Sequence, residues 1–408
     1  FESYLKGTNG TKIITTDASG KKTGELYAKE PQPGGTVALT LDIDLQAAAE
    51  ESLERTITGM MDTDSRQRGG AAVVMGVKSG EVLALATYPT YDPTTFNRDY
   101  ESLSTDDRLP LFNRATDGVY APGSTFKLCT AVAALESGII TPTTTIRDQG
   151  VYTYYAYPQP KCWIYRQYGS THGSINVSQA ITESCNYFFY ETGRLTGIET
   201  IDNYATQFGL GRSTGIETGD SKGALASPEY AKANELEWTD GQTITAAIGQ
   251  SYNLFTPIQL ANYVATLVGD GEHYKAHLLK TVKSYDNSSM IYAYDEGPEN
   301  TVSISDSTLQ AVKEGMYGVA NSTLSSQFSR CIVTCGAKTG SAQVGTDIAN
   351  GTFVCFAPYD DPQIAVAVVI EKGGSGAALA GVAVDIVNAY FSREEIGTAI
   401  IGENTLIS

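Results

Sequence analysis

Segments with strand character lie at both ends of this chain, and helical periodicity fills the stretch between them. Gly70–Val77 and Glu81–Tyr88 flank Lys78-Ser79-Gly80, the signature of a hairpin. Three more β-rich runs follow far downstream, at 332–344, 352–358 and 363–371. Between them the spacing predicts a helix over Ser124–Ser137, closed by Gly138, and others near 178–195 and 200–208. A further helix opens at Thr256-Pro257, a cap followed by Pro at the first turn, with Leu260, Ala261, Val264 and Leu267 on its apolar side. Strands at both ends with helices between imply an antiparallel sheet assembled from distant segments, an α+β design. Thr36–Asp42 reads as another strand. A helix then runs from Asp42 or Asp44 to about Thr58, and a last one spans about 376–391. Residues 1–35, polar and rich in Gly and Pro, read as loops and short hairpins leading into a domain.

Composition removes several classes of function. With 41% hydrophobic and 18% charged residues, 408 residues can build a sizeable core and are not a disordered chain. The formal charge of −18 argues against a sequence-independent nucleic-acid binder, which needs a basic face. No apolar run approaches the roughly 18–20 residues of a membrane-spanning helix. The start at Phe1-Glu2-Ser3 carries no signal peptide and looks like the trimmed soluble part of a longer protein. Six cysteines are too few for a disulfide scaffold, and three histidines make a mechanism built on several of them improbable.

The sharpest local feature is Pro122-Gly123-Ser124-Thr125-Phe126-Lys127 at the head of an almost wholly apolar helix. Ser124 and Lys127 are three apart and share a helix face. A lysine buried there without a carboxylate partner has its charged form disfavoured, and the positive end of the helix dipole pushes the same way. A neutral amine beside a hydroxyl is a general base beside a nucleophile, and the helix terminus offers N–H groups to a developing oxyanion. The bland alternative is a serine cap and a lysine snorkelling from the first turn. Two further elements follow in order. Ser184-Cys185-Asn186 would close a helix–helix turn and point into a cleft. Gly336-Ala337-Lys338-Thr339-Gly340-Ser341-Ala342 reads as a strand. Its Gly336 and Gly340 let another backbone approach, while Lys338 and Ser341 supply a cation and a hydroxyl. That suits an extended peptide with a terminal carboxylate; the alternative is an edge strand with a protective lysine.

S-x-x-K, S-x-N and K-T-G in this order resemble the penicillin-recognising serine enzymes. Ala86-Thr-Tyr-Pro-Thr-Tyr-Asp-Pro93, Asn113-Arg114-Ala115, Tyr120-Ala-Pro-Gly-Ser-Thr-Phe-Lys127, Ala247-Ile-Gly-Gln250, Thr256-Pro-Ile-Gln-Leu-Ala261 and Phe356-Ala-Pro-Tyr359 are similar to class B penicillin-binding proteins. The nearest branch looks like the elongation-type penicillin-binding protein 2 and its sporulation-specific relatives in Gram-positive bacteria. The resemblance implies a penicillin-binding-protein/β-lactamase-like transpeptidase fold: a five-stranded antiparallel sheet flanked by helices, plus an all-helical subdomain. It divides the chain into a pedestal remnant (1–35), a transpeptidase domain (36–391) and a C-terminal tail (392–408). It places the protein on the extracytoplasmic face of the bacterial membrane through an anchor outside this chain.

The resemblance also implies roles. Ser124 would attack the penultimate D-Ala carbonyl of a peptidoglycan stem peptide, and Lys127 would take its proton. Ser184 and Lys127 would relay that proton to the departing D-Ala, and Asn186 would hold the peptide backbone. Lys338, Thr339 and Ser341, with Gly340 between them on the strand, would bind the terminal carboxylate. The N–H groups of Ser124 and Ser341 would form the oxyanion hole. A second stem peptide would take the acyl group, β-lactam antibiotics would mimic the donor, and a membrane glycosyltransferase would be the partner; no nucleic acid is implied. Three positions depart from the pattern. Ser341 stands where Thr is commoner, Cys355 where Gly is usual, and Ser251 where Gly is usual.

Asp148, Cys162, His172 and Cys185 precede or enter the second motif. Two thiolates, an imidazole and a carboxylate suit tetrahedral Zn2+, although the spacing is not that of a zinc finger. Some elongation-type relatives carry zinc at the matching positions, whereas sporulation relatives can pair the cysteines matching Cys162 and Cys185; unbonded side chains are the third reading. Zinc would be structural, since acyl transfer itself needs no cofactor. Cys331 and Cys335 would share a metal only across a turn, because residues four apart on a strand lie about 13 Å apart. Cys129 and Cys355 read as buried small apolar residues, and His273 and His277 as surface loop residues. The tyrosine-rich stretch 152–168 reads as the lining of an acceptor groove or as an aromatic flap.

Overall fold

A computed structural model describes residues 1–157, 159–342 and 348–397. Its described residues divide into two compact units, one made of residues 1–40 with 277–297 and the other of 41–276 with those from 298 onward. In the small unit Thr11–Thr16 and Lys22–Lys29 form the expected hairpin. Thr36–Leu39 pairs antiparallel with Leu279–Lys283, which also pairs with Met290–Ala293. The division expected at residue 35 therefore falls inside this unit's first segment.

The large unit is built on a five-stranded sheet: Gly70–Gly76 (β1), Val82–Tyr88 (β2), Gly336–Ala342 (β3), Asn350–Ala357 (β4) and Ile364–Ile370 (β5). Its spatial order is β3-β4-β5-β1-β2, with every neighbouring pair antiparallel. The expected run 332–344 is shorter at its start, and its last two residues lie outside the described ones.

The unbroken apolar sequence Ile364-Ala-Val-Ala-Val-Val-Ile370 follows from coverage of both faces, since all seven residues are buried. Ala72, Val74, Phe353, Cys355, Val366 and Val368 face a core shared with Ile43–Asp64 (α1) and Ala380–Gly397 (α7). Asp42 caps α1 by accepting from the Asp44 and Leu45 N–H groups. Pro257–Val268 (α5) packs on the opposite face against β1 and β5 and has all twelve residues buried. Its Thr256 and Gln259 form a capping box and Pro257 opens the helix, as the sequence predicts.

The helix carrying Ser124 and Lys127 begins as a short 3-10 turn, Gly123–Phe126, and continues as Lys127–Glu136 (α2). The helix expected over 178–195 is two helices, Val177–Thr182 (α3) and Asn186–Thr196 (α4). Ser184 stands between them at φ 52°, a left-handed conformation that ends one helix and redirects the chain. Asp306–Gly318 (α6) packs along α3.

Two histidines correct the sequence reading: His273 and His277 are not surface residues, being 5% and 4% exposed. Each exchanges water for an internal partner. His273 Nδ1 lies 2.9 Å from Thr266 Oγ1. His277 Nδ1 donates to Leu279 O at 2.9 Å, and its ring stacks on Tyr294 with centroids 3.5 Å apart.

Candidate active site

The turn carrying Ser124 rests directly on strand β3, backbone against backbone. Gly123 has φ 54°, and a Cβ there would stand 2.9 Å from Ser341 O. A Cβ on Gly340 would meet Pro122 O at 2.5 Å. From the other side, Gly249 O accepts the Gly123 N–H at 2.9 Å, and a Gly249 Cβ would lie 2.1 Å from Gly123 O. Three glycines thus let three chain segments close on one point, which half-buried Ser124 tops.

Lys127 is wholly buried one turn below. Its Nζ donates to Ser184 O at 2.8 Å, Ser184 Oγ at 3.3 Å and Asn186 Oδ1 at 2.6 Å, and it lies 5.6 Å from the centroid of the Phe189 ring. Lys338, also fully buried, donates to Ser184 Oγ at 3.0 Å and to Thr339 O at 3.1 Å. Burial brings the Lys127 ammonium down to about 8, against the opposing pull of the Cys185 and Cys162 sulfurs. Burial first, and the Lys127 charge second, push Lys338 well below the ordinary lysine range. Ser184 Oγ accepts from both amines, which leaves its own proton free to be donated. Ser124 Oγ has no hydrogen-bond partner among the described residues. Of the five residues singled out in the sequence, Lys127, Ser184, Asn186 and Lys338 are joined here by hydrogen bonds, and Ser124 stands on the same turn three residues before Lys127. Thr339, Gly340 and Ser341 continue the edge strand beside them. Such an arrangement can activate a hydroxyl, shuttle a proton through Ser184 and hold an anion.

Immediately behind the second motif, Asp148, Cys162, His172 and Cys185 converge, with one ligand atom from each within 4.8 Å of all the others. The two sulfurs are 3.8 Å apart, His172 Nδ1 is 2.8 Å from Asp148 Oδ2 and 3.6 Å from Cys162 Sγ, and Cys185 Sγ is 3.7 Å from Asp148 Oδ2. A tetrahedron with zinc–sulfur bonds of about 2.3 Å has a sulfur–sulfur edge of about 3.8 Å, whereas a disulfide needs about 2.05 Å. Both cysteines are free thiols here. Either thiol can donate across the contact between them, and that contact lowers Cys162 and raises Cys185. Cys185 also caps α4, accepting from Phe188 N–H at 3.4 Å, a contact that offsets part of that rise. The donor set and its spacing therefore fit a four-coordinate zinc.

Residues 70–391 match the family described as Penicillin binding protein transpeptidase domain. The chain belongs to this family. Among similar proteins, the peptidoglycan D,D-transpeptidase MrdA of Escherichia coli K12 is 33% identical over 406 residues, spanning 93% of this chain and 61% of that protein. The chain thus spans about three fifths of that relative's length. Penicillin-binding protein 2 of Pseudomonas aeruginosa, solved with WCK 5153, superposes with a TM-score of 0.78 at 31% identity, over 90% of this chain and 78% of that one. A chain from a structure titled as a peptidoglycan synthase complex coordinating polymerization and crosslinking reaches a TM-score of 0.82 at 28% identity, over all of this chain and 70% of that one. The class B penicillin-binding protein 2 type follows from these similarities. The Gram-positive or sporulation-specific branch does not, since both named organisms are Gram-negative.

The glycine contacts give the family motifs a physical reason. Ala247-Ile-Gly-Gln250 supplies Gly249 against the turn that carries Ser124. Asn113-Arg114-Ala115 supplies a guanidinium whose Nε donates to Glu371 Oε1 at 2.9 Å, the same oxygen that accepts from Tyr120 OH at 2.9 Å. Glu371 and the turn after it had no signal in the sequence. The tyrosine-rich stretch is partly core: Tyr152 is 2% exposed and donates to Glu191, while Tyr157 is 90% exposed.

Proposed function

We propose that this chain is the transpeptidase part of an elongation-type penicillin-binding protein 2, a peptidoglycan D,D-transpeptidase working through a serine acyl-enzyme. The observation that carries this reading is the pair of buried lysines converging on Ser184 beside an exposed-edge strand and a half-buried serine. Ser124 attacks the penultimate D-Ala carbonyl of a stem peptide, and its proton passes to Lys127 in the neutral form. The tetrahedral oxyanion is held by the N–H groups of Ser124 and Ser341, whose backbones the glycine contacts press together. Collapse expels D-Ala, protonated through Ser184 from Lys127. The amine of a second stem peptide then attacks the ester, reversing the same proton path and forming the cross-link. Asn186 orients the donor backbone. Lys338, Thr339 and Ser341 receive its carboxylate, which is also where a β-lactam carboxylate docks.

Asp148, Cys162, His172 and Cys185 hold a structural zinc in this reading. It supplies no step; it fixes Cys185, whose two chain neighbours, Ser184 and Asn186, accept the Lys127 hydrogen bonds. No helix among the described residues is long and apolar enough to cross a membrane. The enzyme works on the extracytoplasmic side, held by an anchor in the longer protein, with a membrane glycosyltransferase supplying the glycan strands. Two measurements on the purified protein test the proposal together: the lifetime of the penicilloyl-enzyme, and cross-linking of stem peptides on polymeric glycan. A long-lived adduct with cross-linked product is expected. Hydrolysis of the adduct within seconds would indicate a β-lactamase, and acylation without any cross-linking a sensor or scaffold.

A further inference from the structure

The hydroxyl of Ser341 has one partner among the described residues, and it is a backbone group from elsewhere in the chain. Gly376 N–H donates to Ser341 Oγ at 3.2 Å. Gly376 opens a short 3-10 turn, Gly376–Leu379, capped by Ser375, whose Oγ accepts the Ala377 N–H at 3.2 Å. That cap leaves the Gly376 N–H free to point at β3. The segment leading there is pinned: Glu371 N donates to Gly69 O at 2.8 Å, Lys372 N to Asn350 Oδ1 at 2.9 Å, and Gly374 N to Ala349 O at 2.8 Å. Gly376 sits so close to the sheet that a Cβ would stand 2.3 Å from Thr352 O and 2.5 Å from Gly340 O, both backbone atoms that cannot swing away.

A hydroxyl has one proton and two lone pairs. With one lone pair filled by Gly376, the side chain is held in one rotamer. Its proton is then uncommitted on the exposed side of β3. We infer that Gly376 is a positioning residue for substrate recognition: its N–H orients the Ser341 hydroxyl so that the proton meets the terminal carboxylate of the stem peptide. The turn at 371–376 therefore sets how strongly the enzyme distinguishes a carboxylate end from a neutral one. The inference rests on Ser341 receiving the carboxylate, as proposed above, and gives that interaction its geometric cause. The hydroxyl-only side chain suffices because the backbone donor fixes it; a threonine would be held by its own β-branching.

The test compares kcat/KM for two thioester substrates that differ only in ending in a free carboxylate or a carboxamide. Wild type prefers the carboxylate. Ser341→Ala lowers that preference about tenfold, the usual consequence of losing one hydrogen bond to a charged group, and Ser341→Thr retains it. Gly376→Ala lowers the preference by a similar factor, and the double variant Gly376→Ala/Ser341→Ala falls no further than Ser341→Ala alone. Should Gly376→Ala fail to fold, Ser375→Ala removes the cap without adding an atom, and loses preference in the same direction. Equal losses on both substrates in the Gly376 or Ser375 variants, with Ser341→Ala still losing its preference for the carboxylate as expected, would overturn the inference alone. An unchanged preference in Ser341→Ala would overturn the carboxylate role itself, and the inference with it.

Discussion

The buried amine sets the pH dependence of acylation, and its value can be worked out. With Lys127 lowered to about 8 from the ordinary 10.5, the amine is titrated within an accessible range. The neutral fraction is then about 1% at pH 6, about a tenth at pH 7 and about half at pH 8. The second-order rate of acylation by a fluorescent penicillin should rise about fiftyfold from pH 6 to pH 8 and no more than about twofold beyond. Asn186→Ala removes the shortest of the three acceptors, 2.6 Å from Nζ. That acceptor stabilises the ammonium, so its loss lowers the affinity for the proton. A hydrogen bond to a charged group contributes about 1.5–3 kcal/mol, which moves the midpoint down by about 1–2 pH units. The absolute rate also falls, because Asn186 is assigned to the substrate, so the midpoint is the diagnostic quantity. Stopped-flow acylation between pH 5 and 10 provides both profiles. A wild-type rate still climbing tenfold per unit above pH 9, or an unmoved midpoint in Asn186→Ala, would refute the reasoning.

Other perturbations have equally definite outcomes. His273 is held neutral by burial, its value lowered to about 4. Its unfolded form binds the proton more readily, so its stabilisation is complete above about 6.5 and is lost as pH falls toward 4, on the order of 3 kcal/mol; urea unfolding across that window should show the decline, and His273→Gln should flatten it. Elemental analysis should find about one zinc per chain, and Cys185→Ser should lower both zinc content and melting temperature; a variant unchanged in both would remove the metal site. Gly249→Ala forces a Cβ to 2.1 Å from Gly123 O at a φ of 75°. It should slow acylation more than tenfold while the zinc content stays at one equivalent, and a normal rate would contradict the backbone packing described for the nucleophile turn.

Much of the large unit was legible because its signals are local. The β1–β2 hairpin is set by Lys78-Ser79-Gly80, α5 by its cap and Pro257, and β5 by an apolar run that only a doubly covered sheet tolerates. The three active-site motifs lie in order along the chain, and the family resemblance supplied their assembly. What escaped depends on contacts between distant segments. Thr36–Leu39 pairs with a strand some 240 residues on, and nothing local reports that. The break at Ser184 needs a positive φ on a non-glycine residue, which helical periodicity on either side conceals. His273 and His277 look like surface residues because the turns that bring Thr266 and Tyr294 against them leave no periodic signal. Gly376 carries no side chain to draw attention, yet its N–H holds Ser341.

The account stands on Ser124 as the residue that carries the acyl group, and peptide mapping after exposure to benzylpenicillin tests that most directly. Tryptic digestion and mass spectrometry should place the penicilloyl adduct on Ser124 in the wild type, and Ser124→Ala, folded to the same melting temperature, should carry none. An adduct on any other residue, or undiminished labelling of Ser124→Ala, would contradict it.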